Sequence, residues 1–205
     1  MIKRAFDLIA SACGLLLLSP LFCLIAVLIK LDSQGSVFFR QERIGRHFRP
    51  FLIYKFRTMV ADASGKGGPI TIGDDPRITR VGRFLRGAKL DELPQLINVL
   101  KGDMSFVGPR PEVKKYVDLF AQDYAEILKV RPGITDLASL HFRDEADLLG
   151  HATNPEEEYV QRILPQKIRL GKEYLKRSSF SFDLSLIFKT VITILGFRAI
   201  SQPPF

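Results

Sequence analysis

An uncharged apolar run near the N-terminus restricts the structure of this chain more than any other feature of its sequence. The run extends from Leu8 to Ile29 and contains no charged residue. As one straight helix, its 22 residues would be about 33 Å long, which is enough to cross a hydrocarbon core of about 30 Å. A membrane-spanning helix is therefore the first interpretation of this segment.

Ser19-Pro20 interrupts the run at its middle. Proline removes a backbone donor and clashes with the preceding turn, so a sharp kink is expected, and the Ser19 hydroxyl can bond back to a freed carbonyl. Basic residues flank the run on both sides, with Lys3 and Arg4 before it and Lys30 after it. The positive-inside rule disfavours moving either basic flank across the membrane. Two interpretations remain open: a kinked spanning helix, and a broken helix that enters and leaves the membrane on the same side.

The composition indicates one domain with anionic partners. A chain of 205 residues is long enough for one core and too short for two large domains. The formal net charge of +8 favours nucleic acid, anionic lipid or phosphorylated small molecules. No nucleic-acid-binding motif accompanies the charge, so we expect no nucleic-acid partner. The two cysteines and three histidines lack the spacing of a disulfide framework or a zinc site.

Patterns after the apolar run predict an irregular α/β domain that is mostly helical and contains a small hairpin. Residues 36–39 and 51–54 are typical of short strands joined by a turn. Glycine and proline between residues 61 and 76 predict a mobile loop, of the kind that often closes over a substrate. Residues 180–195 are apolar with two charges, which suits an amphipathic helix at a membrane interface and equally an ordinary core helix.

An acidic pair, Asp91 and Glu92, lies where a helix is expected to begin. An apolar stripe follows the pair, Gly102 is a natural C-terminal stop, and Pro94 is tolerated only in a first turn. At the positive end of the helix dipole, Asp91 should stay ionised, and it could then hold a divalent cation or attack phosphorus. The alternative is structural, with Asp91 capping the helix and Glu92 supporting its first turn.

Basic residues and stiff turns surround this pair in the sequence. One basic block lies between Arg40 and Arg57, and in another a cation recurs at every third position from Arg77 to Lys89. In the segment 108–111, glycine permits close backbone approach, and Arg110 between two prolines is stiffly presented, as a phosphate contact would require. A Pro-Gly turn follows Arg131. The alternatives are rigid surface turns, solvated helix faces and contacts with anionic lipid.

Several of these segments occur together in a characteristic order. They are Ser19-Pro20, Lys55–Met59, Asp75–Arg80, Leu90–Leu96, Asn98–Ser105, Val107–Pro111 and Arg131–Thr135. The combination closely resembles the bacterial sugar transferase family, in its minimal, single-domain monotopic phosphoglycosyl transferase form. The resemblance covers about residues 2–196.

This resemblance implies a domain organisation and a location. Residues 1–30 would form a re-entrant membrane helix broken at Ser19 and Pro20, in contact with membrane lipid. Residues 31–196 would form the catalytic domain, on the cytoplasmic face of a bacterial inner membrane and supported by interfacial amphipathic helices. Residues 197–205 would form a C-terminal tail.

The resemblance also implies a two-step, ping-pong reaction that depends on Mg²⁺. Asp91 would attack the β-phosphate of a UDP-sugar, expel UMP and carry the phosphosugar covalently, and polyprenyl phosphate would then remove it. By this match, Asp91 is the nucleophile and a magnesium ligand, and Glu92 assists the metal or proton transfer. Modified N-acetylated hexosamines are frequent donors in the minimal members of the family.

Further residues are matched to the substrate in the same way. The candidates for its phosphates and nucleotide are Lys55, Arg57, Arg86, Gly108, Pro109, Arg110, Pro111 and Arg143. The chain departs from the usual pattern at Asp136–Leu140, which leaves the identity of the sugar undetermined. We interpret residues 143–172, including Asp144-Glu145, as a capped helical segment with solvated charges and not as a second acidic site.

Two further points stay open at the level of sequence. The fold could be kept without its chemistry, in which case the chain would be a membrane-anchored binding or scaffolding protein. The intact acidic pair, Asp91 and Glu92, argues against this alternative. Apolar surfaces could also support a homodimer, although no residue pattern establishes one.

Overall fold

A computed structural model describes residues 2–63, 71–72 and 75–194 of the chain. Within these residues the fold is mostly helical, as predicted, and has two small sheets, of which only the hairpin was predicted. Most of the predicted 61–76 loop and the whole predicted tail 197–205 lie outside the described residues. The helices are α1 Ile2–Leu17, α2 Ser19–Asp32, α3 Arg80–Gly87, α4 Gln95–Lys101, α5 Lys114–Leu119, α6 Ala121–Ile127, α7 Leu137–His141, α8 Glu145–Gly150, α9 Pro155–Glu158, α10 Leu164–Arg177 and α11 Phe180–Ile194, and the strands are β1 Phe38–Ile44, β2 Pro50–Phe56, β3 Ser105–Val107 and β4 Gly133–Thr135.

The apolar run forms two helices that meet at an angle of 59°. The break falls at Ser19-Pro20 as predicted, and the Ser19 hydroxyl donates to the carbonyl oxygen of Leu16 at 2.8 Å. No single helix among the described residues has the length and apolarity to cross a membrane, and only the bent pair α1–α2 meets both conditions together. The predicted kink is therefore confirmed.

Polar contacts attach α1 to the rest of the protein. The buried Asp7 carboxylate accepts hydrogen bonds from the Ser105 hydroxyl and the Phe106 amide, both at 3.1 Å. The Arg4 guanidinium donates to the carbonyl oxygen of Val99 at 2.7 Å, near the C-terminal end of α4. Lys3 forms an ion pair of 2.7 Å with Asp183 on α11. These N-terminal charged residues fix the position of α1 against β3, α4 and α11.

The predicted hairpin is present and longer than expected. β1 and β2 pair antiparallel, from Phe38 opposite Phe56 to Ile44 opposite Pro50. A 3₁₀ turn, Arg46–Phe48, joins them. Phe56 is almost fully buried and packs against α2 and α3, so the hairpin is anchored next to the broken helix.

The Pro-Gly turn predicted after Arg131 is instead the start of strand β4, which pairs in parallel with β3. The amide of Ser105 donates to the Pro132 carbonyl at 2.9 Å, which fixes the pairing. Gly108, just after β3, is required there because a Cβ on it would lie 2.4 Å from the carbonyl oxygen of Arg131. The expected close backbone approach is therefore a contact between two segments of this chain.

The largest apolar cluster packs β1 against α5, α6 and α10, and its members include Ile44, Tyr124 and Leu164. α11 is amphipathic, as expected. Leu186 is completely buried, whereas Phe188 is 66% exposed. The outer face of α11 and much of α1–α2 therefore present large apolar side chains to the surroundings.

Candidate active site

The acidic pair lies in a short 3₁₀ turn, Leu90–Glu92, and α4 begins only at Gln95. The expectation that the helix would start near Asp91 therefore needs correction. Pro94 has no N–H to donate to the Leu90 carbonyl, which instead accepts from the Leu93 amide at 3.2 Å. The turn directs Glu92 towards Lys55 on β2 and Arg110 in the segment after β3.

Glu92 is held by two cations. The Lys55 ammonium on β2 donates to its carboxylate at 2.7 Å, and both Nη atoms of Arg110 donate to the same group, one of them at 3.1 Å. Burial raises the pKa of Glu92, but attraction to Arg110 and Lys55 outweighs burial and holds that pKa well below its usual range. A carboxylate with such a low pKa does not take up a proton near neutral pH. The sequence resemblance implied that Glu92 assists either the metal or proton transfer. Its low pKa does not suit proton transfer, and its observed contacts position Lys55 and Arg110.

Asp91 has the opposite environment. Only 8% of it is exposed, yet within the described part of the chain its carboxylate makes no hydrogen bond or ion pair. Burial raises the pKa of Asp91, while the positive charges of Lys55 and Arg86 oppose that rise. The predicted stabilisation by the helix dipole is therefore not the dominant influence, because α4 starts four residues later. Asp91 is a buried carboxylate without a polar partner among the described residues, and it is not among the residues that line the cavity described below.

The remaining predicted cations are placed differently from one another. Arg86 on α3 lies close enough to Asp91 to influence its charge and donates to the Thr58 hydroxyl at 2.8 Å. Arg143, between α7 and α8, is exposed, lines the cavity described below and has no polar partner among the described residues. The Arg57 guanidinium donates to the carbonyl oxygens of Ser33 and Gln34 at the end of α2. Those bonds give Arg57 a structural role, and its predicted phosphate contact stays a prediction.

The predicted turn at residues 108–111 orients Arg110. Its amide donates to the Asp136 carboxylate at 3.1 Å, while its guanidinium reaches Glu92. The Pro109 carbonyl accepts from the Gly133 amide at 3.2 Å, and the Pro111 carbonyl accepts from Arg43 at 3.3 Å. Gly108, Pro109 and Pro111 thus fix the loop that carries Arg110. Their predicted contacts with a nucleotide stay predictions.

A cavity of about 490 Å³ adjoins the Glu92 cluster, which we define as Lys55, Glu92 and Arg110. Its volume is within the range of about 300–1,000 Å³ typical of small-molecule sites. A second polar group, which the sequence analysis missed, lines the same cavity. This Glu112 cluster consists of Arg43, Glu112, Glu145, Tyr159 and Lys167.

The prediction of solvated charge at Glu145 is wrong. Its carboxylate pairs with Lys167 at 2.5 Å, and both side chains line the cavity. Sequence spacing gave no signal for this, because the cluster joins β1, the segment after Arg110, the start of α8, the segment leading into α10 and α10 itself. The one local indication was that Glu112 directly follows the stiff Arg110-Pro111 turn.

Comparison with known proteins gives a consistent result. The sequence model of the bacterial sugar transferase family matches residues 1–196. The chain is 41% identical, over 97% of its length, to a UDP-N-acetylgalactosamine-undecaprenyl-phosphate N-acetylgalactosaminephosphotransferase of Aeromonas hydrophila. It is 39% identical, over 93% of its length, to a UDP-glucose:undecaprenyl-phosphate glucose-1-phosphate transferase of Escherichia coli K12.

These two relatives are much longer proteins, and the chain spans only 45% and 39% of their lengths. A relative of similar size is the exopolysaccharide production protein PSS of Rhizobium leguminosarum bv. phaseoli. It is 38% identical to the chain over 95% of each protein.

Proposed function

The chain belongs to the bacterial sugar transferase family, and on that premise we propose that it transfers a sugar 1-phosphate from a UDP-sugar to undecaprenyl phosphate and releases UMP. The donor classes to consider are the hexoses and N-acetylhexosamines, including the modified N-acetylhexosamines implied by the sequence resemblance. The reaction would be a first membrane step in the assembly of a bacterial glycoconjugate.

The observation that carries this proposal is the buried Asp91 carboxylate, which lies without a hydrogen-bond partner among the described residues beside the cation-bound Glu92. In the first step, an Asp91 oxygen bonds to the β-phosphorus of the donor, and the bond from that phosphorus to the bridging oxygen breaks. UMP leaves with the electron pair. In the second step, a phosphate oxygen of the carrier attacks the same phosphorus and restores the Asp91 carboxylate.

The cations around the pair suit this chemistry. An anionic nucleophile and a diphosphate repel each other, so positive charge is needed at the reacting centre. The positive charge of Arg86 opposes the rise in the pKa of Asp91 that burial causes. Glu92 holds Lys55 and Arg110 in fixed positions. Arg143 adds an exposed cation on the cavity wall. We propose that these four cations position the diphosphate.

The residues present also fit the implied Mg²⁺. Magnesium is usually bound by one or two carboxylates together with substrate phosphates and water. Asp91 supplies one such carboxylate, and within the described residues no cluster of three ligating side chains forms a separate metal site. When bound, the ion would neutralise phosphate charge. Glu92, whose oxygens already accept from Lys55 and Arg110, would act by holding those cations.

We further propose that α1–α2 is a re-entrant element of the bacterial inner membrane and that the catalytic domain faces the cytoplasm. The 59° bend and the large apolar side chains exposed on both helices support this arrangement. The outer face of α11 would lie at the same interface. A homodimer stays a prediction.

Cysteine labelling tests the re-entrant topology. With Cys13 and Cys23 replaced by serine, Ile2→Cys and Leu31→Cys each place one exposed thiol at an end of the bent pair. A re-entrant pair predicts that a membrane-impermeant maleimide labels both in inverted vesicles and neither in intact spheroplasts. Labelling of one of them from the outside would establish a spanning helix instead.

Release of UMP tests the reaction. The purified chain, with Mg²⁺ and undecaprenyl phosphate, would be offered a panel of UDP-sugars beside the Asp91→Asn variant. Asp118→Asn is the matched control, because that carboxylate is exposed on α5. We expect release by the wild type and the control only, and without acceptor a phosphosugar adduct on the peptide containing Asp91. Folded wild type that releases no UMP would support the non-catalytic scaffold, and undiminished release by Asp91→Asn would exclude Asp91 as the nucleophile.

A further inference from the structure

The Glu112 cluster is a partly buried, charge-balanced part of the cavity wall. Glu112 is 7% exposed and accepts hydrogen bonds from the Tyr159 hydroxyl at 2.5 Å and from Arg43 at 3.4 Å. Lys167 lies 3.9 Å from Glu112 and 2.5 Å from Glu145. Two cations thus face two carboxylates, so this cluster carries no surplus charge for a phosphate.

Three polar atoms on residues of the cavity wall lack partners. They are Nε of Arg43 and the hydroxyl oxygens of Tyr116 and Ser139, each buried and without a hydrogen bond within the described part of the chain. All three residues line the cavity. A buried polar group without a partner costs free energy, and native proteins usually satisfy such groups. Three residues with unsatisfied polar atoms in the wall of one cavity indicate a site whose hydrogen bonds a ligand completes.

The chemistry of these atoms indicates which part of a donor fits. The Arg43 Nε can only donate, whereas the two free hydroxyls both donate and accept. The hydroxyl groups of a sugar ring match this set because each of them also donates and accepts. The diphosphate, in contrast, is attracted to the cations near Asp91 and gains no net attraction from the charge-balanced Glu112 cluster.

From this arrangement we propose that Arg43, Tyr116 and Ser139 bind ring hydroxyl groups of the transferred sugar and make the enzyme selective for hydroxyl-bearing hexoses or N-acetylhexosamines over deoxygenated ones. The inference rests on the proposed transferase function and deepens it. The three residues are specificity determinants, and Glu112 fixes Arg43 in place.

Conservative removal of the free hydroxyls tests this proposal. Tyr116→Phe and Ser139→Ala delete only unpartnered hydroxyls, so both variants should fold, which thermal unfolding would verify. Tyr54→Phe is the matched control, because Tyr54 does not line the cavity. For the preferred UDP-sugar, we expect each cavity variant to lower kcat/KM by about tenfold, as expected for loss of one buried hydrogen bond. The control should stay within about twofold of the wild type.

Two further measurements distinguish the sugar from the nucleotide. Inhibition by UMP should be unchanged in both variants, because UMP lacks the transferred sugar. A donor analogue can lack the ring hydroxyl that contacts Tyr116 or Ser139. With that analogue, the kcat/KM of the wild type should no longer exceed that of the corresponding variant.

Equal weakening of UMP binding would assign the site to the nucleotide and overturn the inference. The inference would also be overturned if the ratio of kcat/KM between variant and wild type were the same for every deoxy analogue as for the preferred UDP-sugar. If wild-type protein released no UMP from any donor, the proposed function itself would fail, and this inference with it.

Discussion

The Glu92 cluster and the Glu112 cluster use similar residues for different purposes. Each centres on a glutamate bound by an arginine and a lysine. Beside Glu92, a second carboxylate, Asp91, is left without a hydrogen bond among the described residues. Beside Glu112, the groups left without one are neutral hydroxyls and one arginine N–H.

The difference shows that the unsatisfied groups, more than the paired ones, indicate what a site can bind. The paired charges fix geometry, since a buried ion pair adds little net stability relative to apolar residues but strongly penalises removal of one partner. A carboxylate without a hydrogen-bond partner near cations can bind a metal ion or attack phosphorus. Hydroxyls without partners can instead form hydrogen bonds with a polyhydroxylated sugar ring. We therefore expect variants in the two clusters to separate chemistry from sugar recognition.

The largest effect is expected from neutralising the two adjacent carboxylates. Asp91→Asn should reduce UMP release on the order of 10³-fold or more, because it removes the proposed nucleophile. The substitution should nevertheless stabilise the fold. Burial raises the pKa of Asp91, so its ionised form at neutral pH destabilises the folded state, and the neutral asparagine removes that cost. Thermal unfolding in detergent and the UMP assay would measure the two effects.

Glu92→Gln is the matched substitution and should have the opposite effect on stability. The lowered pKa of Glu92 means that its ionised form stabilises the fold above the ordinary carboxyl pKa, a contribution lost as pH falls through the folded pKa. Breaking this pair should cost on the order of 3 kcal/mol at neutral pH. Equal destabilisation by both substitutions would contradict the distinction between a free and a bound carboxylate.

A smaller effect is expected in the Glu112 cluster. Tyr159→Phe removes the hydrogen bond to Glu112 and should cost about 2 kcal/mol of stability, the usual size for a bond to a charged group. The KM for the UDP-sugar should rise several-fold with little change in kcat, since the cluster positions a sugar-binding residue. Tyr124→Phe is a suitable control: Tyr124 is also buried in that core, and its hydroxyl makes no hydrogen bond within the described residues. A fall in kcat as large as that of Asp91→Asn would place Tyr159 in the chemistry.

The parts of the fold that could be predicted from sequence depend on neighbouring residues. The break at Ser19-Pro20, the hairpin and the stop of α4 at Gly102 follow from local backbone preferences. Strand β4 was mistaken for a turn because its pairing with β3 depends on a distant segment. For the same reason, the anchoring of α1 through Asp7 has no local signal.

The candidate site divides in the same way. The acidic pair and Arg110 lie in short, stiff motifs, so they could be predicted from sequence, and the structure brings Glu92 and Arg110 together. The Glu112 cluster could not be predicted, because its members approach one another only after β1 packs against α5 and α10. The direction of the pKa shift of Asp91 also required the structure, since burial raises that pKa against the positive charges of Lys55 and Arg86.

The smallest effect that we predict is a shift in pH dependence. The proposed nucleophile must be ionised, so kcat should fall as the pH falls through the raised pKa of Asp91. Arg86 is one of the positive charges that oppose this rise, so Arg86→Gln should move the acidic limb to higher pH. Arg83→Gln is the matched control, because Arg83 is exposed on the same helix. The pH dependence of kcat at saturating donor measures the shift, and an equal shift in both variants would indicate a general field effect with no specific role for Arg86.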